Sequence, residues 1–167
     1  MIISQVDGDN LRGFNKIGFS IGLLSGYSLS DNSALVVDLQ YATFGSAQSK
    51  EFGNPYLETE IQTINMLAGY SLRFGDSWDG SKKFRILIGP RLHAIQKSRL
   101  GRNHVSGGLD RYFVSANLGF GVYLSNSFVL DINYNHGLSN ILKTPMESVE
   151  KLNPYYLSLG LTYYLYK

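Results

Sequence analysis

The chain contains no cysteine, which excludes disulfides, thiolate metal sites and thiol catalysis together. Charged residues make up only 17% of it, against roughly 25% in an average soluble domain. Proline is rare, with four in 167 residues. The net charge of +2 comes without a basic run or stripe, so nothing marks a nucleic-acid partner. Nowhere do ~20 apolar residues follow one another, which excludes a membrane-crossing helix. The N-terminus lacks a charged segment followed by an apolar one. An exported protein needs such a signal, so here it is expected to lie outside this numbering.

What the chain has is glycine (18), tyrosine (12), phenylalanine (9) and a period of two. From Tyr155 onward, Tyr155, Leu157, Leu159, Leu161, Tyr163 and Leu165 alternate with Tyr156, Ser158, Gly160, Thr162, Tyr164 and Tyr166. Side chains of a strand point alternately to its two faces, so this is a long β-strand with two chemically different sides. The pattern recurs. Lys16–Ser30 sets Ile17, Phe19, Ile21, Leu23, Tyr27 and Leu29 against Gly18, Ser20, Gly22, Gly26 and Ser28. Ala34–Phe44, Leu57–Phe74, a segment around Phe84–His93, Tyr112–Leu124 and Phe128–Gly137 alternate in the same way. With the stub Met1–Val6, which reads as the far end of a strand, eight strands are expected.

Connections alternate too. Asp31–Ser33, Gly75–Lys83 and Ser125–Ser127 are short; Asp7–Asn15, Gly45–Tyr56, Ser98–Asp110 and Leu142–Pro154 are longer. Short turns on one side and long loops on the other are the asymmetry of an outer-membrane barrel with both termini in the periplasm. Lipid tolerates no open sheet edge, so the stub and the last strand are expected to pair and close it. Residues 1–167 thus read as one domain: an all-β, eight-stranded, antiparallel up-and-down transmembrane β-barrel.

A soluble lipocalin-like barrel, with its apolar face around a ligand, has the same periodicity. The polar face distinguishes them. A water-facing wall is dense in charge, whereas here that face is mostly Gly, Ser, Asn and Thr. The apolar face is therefore assigned to lipid, with Leu157, Leu159, Leu161, Tyr163 and Leu165 as its representatives in the last strand. Tyr27, Tyr41, Phe74, Phe84, Tyr112 and Tyr163, near strand ends, suit the membrane interfaces.

The polar face carries Asp38, Arg73, Arg85, Arg91, His93, Lys97 and Asp131. Inside a narrow barrel these must form a hydrogen-bonded ion-pair network, a structural plug rather than an ion path. No set of residues recommends a metal, a cofactor or a catalytic centre. His104-Val105-Ser106 has the His-x-Ser spacing of outer-membrane lipid A deacylases, but a Gly-rich loop stands where a rigid strand is required. Asp7-Gly8-Asp9-Asn10 starts like a calcium loop, yet Leu11 and Arg12 break the pattern. Gly119-Phe120-Gly121 repeats at strand period and is no nucleotide loop.

Several segments in order resemble the PorT-like outer-membrane β-barrel family: Ser4-Gln5-Val6-Asp7-Gly8-Asp9, then Gly13-Phe14-Asn15-Lys16-Ile17-Gly18-Phe19 with Gly22, the strand Leu57–Leu67, Gly89-Pro90, and Gly137-Leu138-Ser139-Asn140-Ile141. The family's usual Pro is absent from Leu57–Leu67, and its first-strand start is missing. The resemblance implies a compact barrel in a Gram-negative outer membrane, with no catalytic residues to carry over; one role in the family is as an accessory part of type IX protein secretion. The expected function is a small non-enzymatic barrel with a filled polar lumen, structural or accessory to other outer-membrane or periplasmic proteins. The alternatives are a lipid-modifying barrel enzyme and a soluble ligand-binding barrel.

Overall fold

The computed structural model describes residues 1–7, 16–47, 58–76, 82–100, 109–125, 127–142 and 152–164. They form nine strands: β1 (Ile2–Asp7), β2 (Lys16–Gly18), β3 (Ser20–Ser30), β4 (Ser33–Ala47), β5 (Glu58–Asp76), β6 (Lys82–Leu100), β7 (Tyr112–Tyr123), β8 (Phe128–Gly137) and β9 (Asn153–Tyr163). All nine belong to one sheet in the order β2-β1-β9-β8-β7-β6-β5-β4-β3. Every pairing is antiparallel, as up-and-down hairpins require.

The two outermost strands of that order are chain neighbours, since Phe19 alone separates β2 from β3. The expected strand Lys16–Ser30 is thus present, interrupted at this residue. The break has a visible cause. The β1 pairing ends at Gly18 and Phe19 joins the β4 side: its N–H donates to Thr43 Oγ1 at 3.2 Å, and its carbonyl accepts from Thr43 N–H at 2.9 Å. The Ser4 hydroxyl of β1 accepts from Gly45 N–H of β4 at 2.9 Å. The sheet therefore curls until β1 and β4 meet at the end from which residues 8–15 and 48–57 leave, here called the loop end. The opposite, turn end carries the turn at Asp31–Asn32 and the Ser125 hydroxyl, which accepts from Ser127 and Phe128 N–H.

Gly18 sits where β2 passes against Thr43 of β4. A Cβ on it would lie 1.8 Å from the Thr43 carbonyl oxygen, an overlap that main chain held in two ladders cannot relieve. Gly18→Val is expected to cost at least the ~1–3 kcal/mol typical of overpacking, measured as a lowered urea midpoint in detergent. Gly26→Ala, whose nearest neighbour would be 3.5 Å away, is expected to leave that midpoint in place.

The expected pairing of the N-terminal stub with the last strand is present, from Ile2↔Ser158 to Asp7↔Asn153. It is also short. Beyond the Met1–Leu159 rung, β9 from Gly160 to Tyr163 and β3 from Ser20 to Ser30 have no strand on their second edge among the described residues. The curled sheet is a partial barrel, joined at the loop end and open along a seam toward the turn end.

Several strands outrun their hydropathy signal. β4 continues three residues past Phe44, and β6 continues through Leu100, into stretches expected as loop. There the alternation fades, but backbone pairing with β5 persists to Ala47↔Glu58 and Thr59↔Leu100. Backbone groups bond regardless of side-chain polarity.

Candidate functional site: the inverted interior

Burial along the strands is opposite to that of a soluble protein. Leu35, Val37 and Leu39 of β4 are exposed, while Val36 and Asp38 between them are buried. In β7, Val114, Leu118 and Phe120 are exposed and Ser115 and Asn117 are buried. In β9, Leu157, Leu159, Leu161 and Tyr163 face outward and Tyr156 faces in. Leu165 lies outside the described residues. The apolar wall extends over every strand from β3 to β9. A soluble lipocalin-like barrel would present the reverse.

Aromatic rings gather toward the wall's ends. Phe74, Phe84 and Phe120 form a chain with centroids 5.7 and 5.8 Å apart, and Phe128 meets Tyr163 at 4.9 Å. Tyr134, His136 and Tyr155 form a second group nearer the loop end. His136 thus belongs to the outer face, where its Nδ1 lies 3.2 Å from the Tyr134 hydroxyl.

Inside, the charges sort into levels. Near the turn end, Arg85 and Asp131 form a bidentate pair, Nε to Oδ1 at 2.8 Å and Nη2 to Oδ2 at 2.6 Å. Thr162 donates to Asp131 Oδ2 at 2.8 Å, and Arg85 Nη1 donates to the Tyr164 hydroxyl. Gly121 makes room for them: a Cβ there would stand 2.4 Å from Asp131 Oδ1 and 2.7 Å from Arg85 Cγ. At Gly121 the missing side chain is therefore what lets this ion pair cross the interior.

One level further, Arg91 Nη2 donates to Asp38 Oδ2 at 3.0 Å and Nη1 to Gln40 Oε1 at 2.8 Å. Above that lies His93, fully buried, with Nδ1 2.8 Å from Asn65 Oδ1 and Nε2 2.7 Å from Ser115 Oγ. Its ring stacks on Phe113 with centroids 4.1 Å apart and planes inclined by 4°. With one nitrogen held by an amide and the other by a hydroxyl, His93 is a cross-brace.

An apolar plug completes the loop end. Val6, Phe44, Ile61, Phe113, Ile141, Leu142, Leu152 and Tyr156 pack together there, fully or nearly fully buried. Asn117 and Asn135, paired across β7 and β8, are buried between these levels with no protein hydrogen-bond partner among the described residues. Buried amides of this kind are ordinarily satisfied by water.

The sequence-derived candidates do not form one continuous network. Asp38 with Arg91, and Asp131 with Arg85, make two separate buried pairs. Arg73 is only half-buried, and its described partner is Ser28 Oγ at 3.3 Å. Lys97 is exposed, not inward-facing. Gln62 pairs with Lys97 and Thr63 with Ile95, so Gln96 is an extra residue in β6. Such a bulge reverses the alternation beyond it, and counting by twos from His93 cannot detect it. His104, Ser106 and Gly8–Asn10 lie outside the described residues; Asp7 is the last residue of β1. Among the described residues no cluster of three metal-ligating side chains occurs, and no helix is long and apolar enough to cross a membrane.

Periodicity places Gln40, Asn65, Ser115, Thr162 and Tyr164 on the polar face without marking them as partners of the charged residues and His93, since which inward residues meet depends on register. No family model matches the chain, and no curated protein does either. Among solved structures, a NanC porin is similar over 98% of each chain with 8% identity and a TM-score of 0.34. At that score the likeness is too distant to argue from.

Proposed function

We propose that this protein is a small, non-enzymatic integral outer-membrane β-barrel, its lumen filled by side chains, serving as a structural or accessory subunit. In this reading β2 and β3 are one wall strand, so the nine strands count as eight staves of a transmembrane barrel. What carries the reading is the inversion of burial: two Arg–Asp pairs inside, a continuous apolar wall outside.

Magnitudes favour lipid over water. Each large apolar side chain left in water forgoes about 1.5–3 kcal/mol. Even at half exposure, the sum over such a wall exceeds the ~5–15 kcal/mol by which a domain is stable. Outer-membrane lipid is thus one partner. The filled interior supports a role without transport, because the ion pairs, His93 and the apolar plug occupy successive levels. An accessory role in an outer-membrane complex, such as the type IX-like secretion implied by the PorT-like resemblance, follows from that resemblance alone.

Fractionation tests the proposal. The chain, expressed with an export signal in a Gram-negative host, is expected in the outer membrane and resistant to alkaline carbonate extraction. Release into buffer without detergent would contradict it. Purified protein in planar bilayers is expected to give no stable conductance; a large persistent one would refute the filled lumen.

A further inference from the structure

Resting on the barrel reading above, we propose that Lys97 and Arg99 of β6 bind the phosphate of an anionic lipid headgroup in the leaflet at the loop end. The site begins with the bulge. Along β6 the outward face runs through Ile88, Pro90 and Leu92, all exposed, to the half-buried Ala94. Gln96 then adds one residue, so that Lys97 stands across from Gln62 and Arg99 from Glu60, both cations exposed on the outer side. Without it, Lys97 and Arg99 would share the parity of His93 and point inward, toward the apolar plug. A bulge interrupts the ladder and re-aims side chains; this one sets two cations directly beyond an apolar wall.

Strand geometry sets their depth. The Asp76↔Lys82 rung and the Gln62↔Lys97 rung are 76 − 62 = 14 residues apart on β5. At about 3.4 Å per residue and a tilt of about 35–45°, they lie roughly 34–39 Å apart along the membrane normal. A hydrocarbon core is about 30 Å thick, and about 40–45 Å with its headgroups. Lys82 and Lys97 therefore fall in opposite headgroup layers. Tyr112, 60% exposed and paired with Ala94, marks the interface at the loop end.

Charge complementarity names the occupant. Neither Lys97 nor Arg99 has an ion-pair or hydrogen-bond partner among the described residues. The carboxylate across from Arg99 is engaged elsewhere: Glu60 Oε1 accepts from Gln62 Nε2 at 2.9 Å, and Oε2 lies 3.9 Å from Lys16 Nζ. Arg111, whose carbonyl accepts from Ile95 N–H at 2.8 Å, is preceded by Asp110, so the two add no net charge. At the turn end, by contrast, Lys82 already holds Asp76 at 2.6 Å. Residues two apart on one strand face have Cα atoms about 7 Å apart, within reach of one phosphate for two long side chains. The guanidinium can give it two parallel N–H···O bonds and the ammonium a point charge. The adjoining wall meets lipid, whose headgroup phosphates lie at this depth.

The test uses the full chain in dodecylmaltoside micelles containing equal amounts of phosphatidic acid and phosphatidylcholine with the same acyl chains. Native mass spectrometry counts the lipid retained. Phosphatidic acid is expected to be retained in preference. Lys97→Gln/Arg99→Gln should weaken its binding about thirtyfold, roughly fivefold for each basic residue near an anionic surface, and leave phosphatidylcholine unchanged. Lys82→Gln/Lys83→Gln, with the same loss of charge at the turn end, should leave the preference in place. Inorganic phosphate at the concentration of the lipid should not displace it, because the wall holds only the lipid. Three results would overturn the proposal: equal retention of the two lipids, equal loss in the two double variants, or displacement by inorganic phosphate. Heat-dependent gel mobility of the same samples reports on the barrel separately. Absence of that shift in the parent chain sinks the barrel reading, whereas its presence without a lipid preference sinks only the phosphate site.

Discussion

Arg85→Met is expected to destabilise the protein by about 3–5 kcal/mol, the cost of leaving one member of a buried ion pair without its partner. Asp131 is 5% exposed and would keep only the Thr162 hydroxyl of its close charge-assisted contacts. The double variant Arg85→Met/Asp131→Leu should recover most of that loss, because removing both charges also removes the cost of burying them. The exposed Lys82–Asp76 pair, 2.6 Å long with the aspartate side chain 69% exposed, is the control. Breaking it should cost no more than about 1 kcal/mol. Urea unfolding in micelles measures all three variants. Equal effects at the two pairs would mean that Arg85 and Asp131 are solvated.

The second large effect lies on the outer face. Leu118, in the middle of β7, is 55% exposed, a value that in a soluble protein would make it replaceable. Leu118→Arg is expected to cost about 2–4 kcal/mol in a bilayer, whereas Leu124→Arg, beside the turn, should cost no more than about 1. The contrast between the two positions carries the test. On a water-facing wall both substitutions would fall within about ±0.5 kcal/mol. Refolding into lipid vesicles against denaturant gives both numbers.

Most of the wall was legible in the sequence, because a period of two needs only local reading. The alternation in β4, β7, β8 and β9 assigns each residue to the face it occupies, and the scarcity of charge on the polar face indicates which side meets water least. Three features were not legible. The bulge at Gln96 turns Lys97 outward, since a one-residue insertion in a ladder leaves no mark in hydropathy. The apolar plug escaped as well: Phe44, Ile61 and Phe113 share the parity of the polar face, and only tertiary curling brings them together. The third was the pairing of charges. Asp38 and Arg91 are 53 residues apart and Arg85 and Asp131 are 46. Their partnership depends on strand register around the curl, which a single sequence does not state.

The curl also relates the glycines to the ion pairs. Gly18 lets β2 pass over Thr43, and Gly121 leaves space for Arg85 against Asp131. A narrow interior needs both, because a curled wall and the side chains it encloses compete for the same volume. At these two positions glycine is thus a requirement of the packing.

The central claim is that the outward apolar face meets lipid. Spin labels placed singly at Leu118, Phe120, Ile132 and Leu159 in reconstituted vesicles test it most directly, by collision with oxygen, which partitions into the bilayer, and with a polar nickel chelate, which does not. All four positions should favour oxygen, while a label at Leu124 should be more accessible to the chelate. Chelate accessibility at Leu118 and Ile132 matching that of Leu124 would place the wall in water and contradict the account.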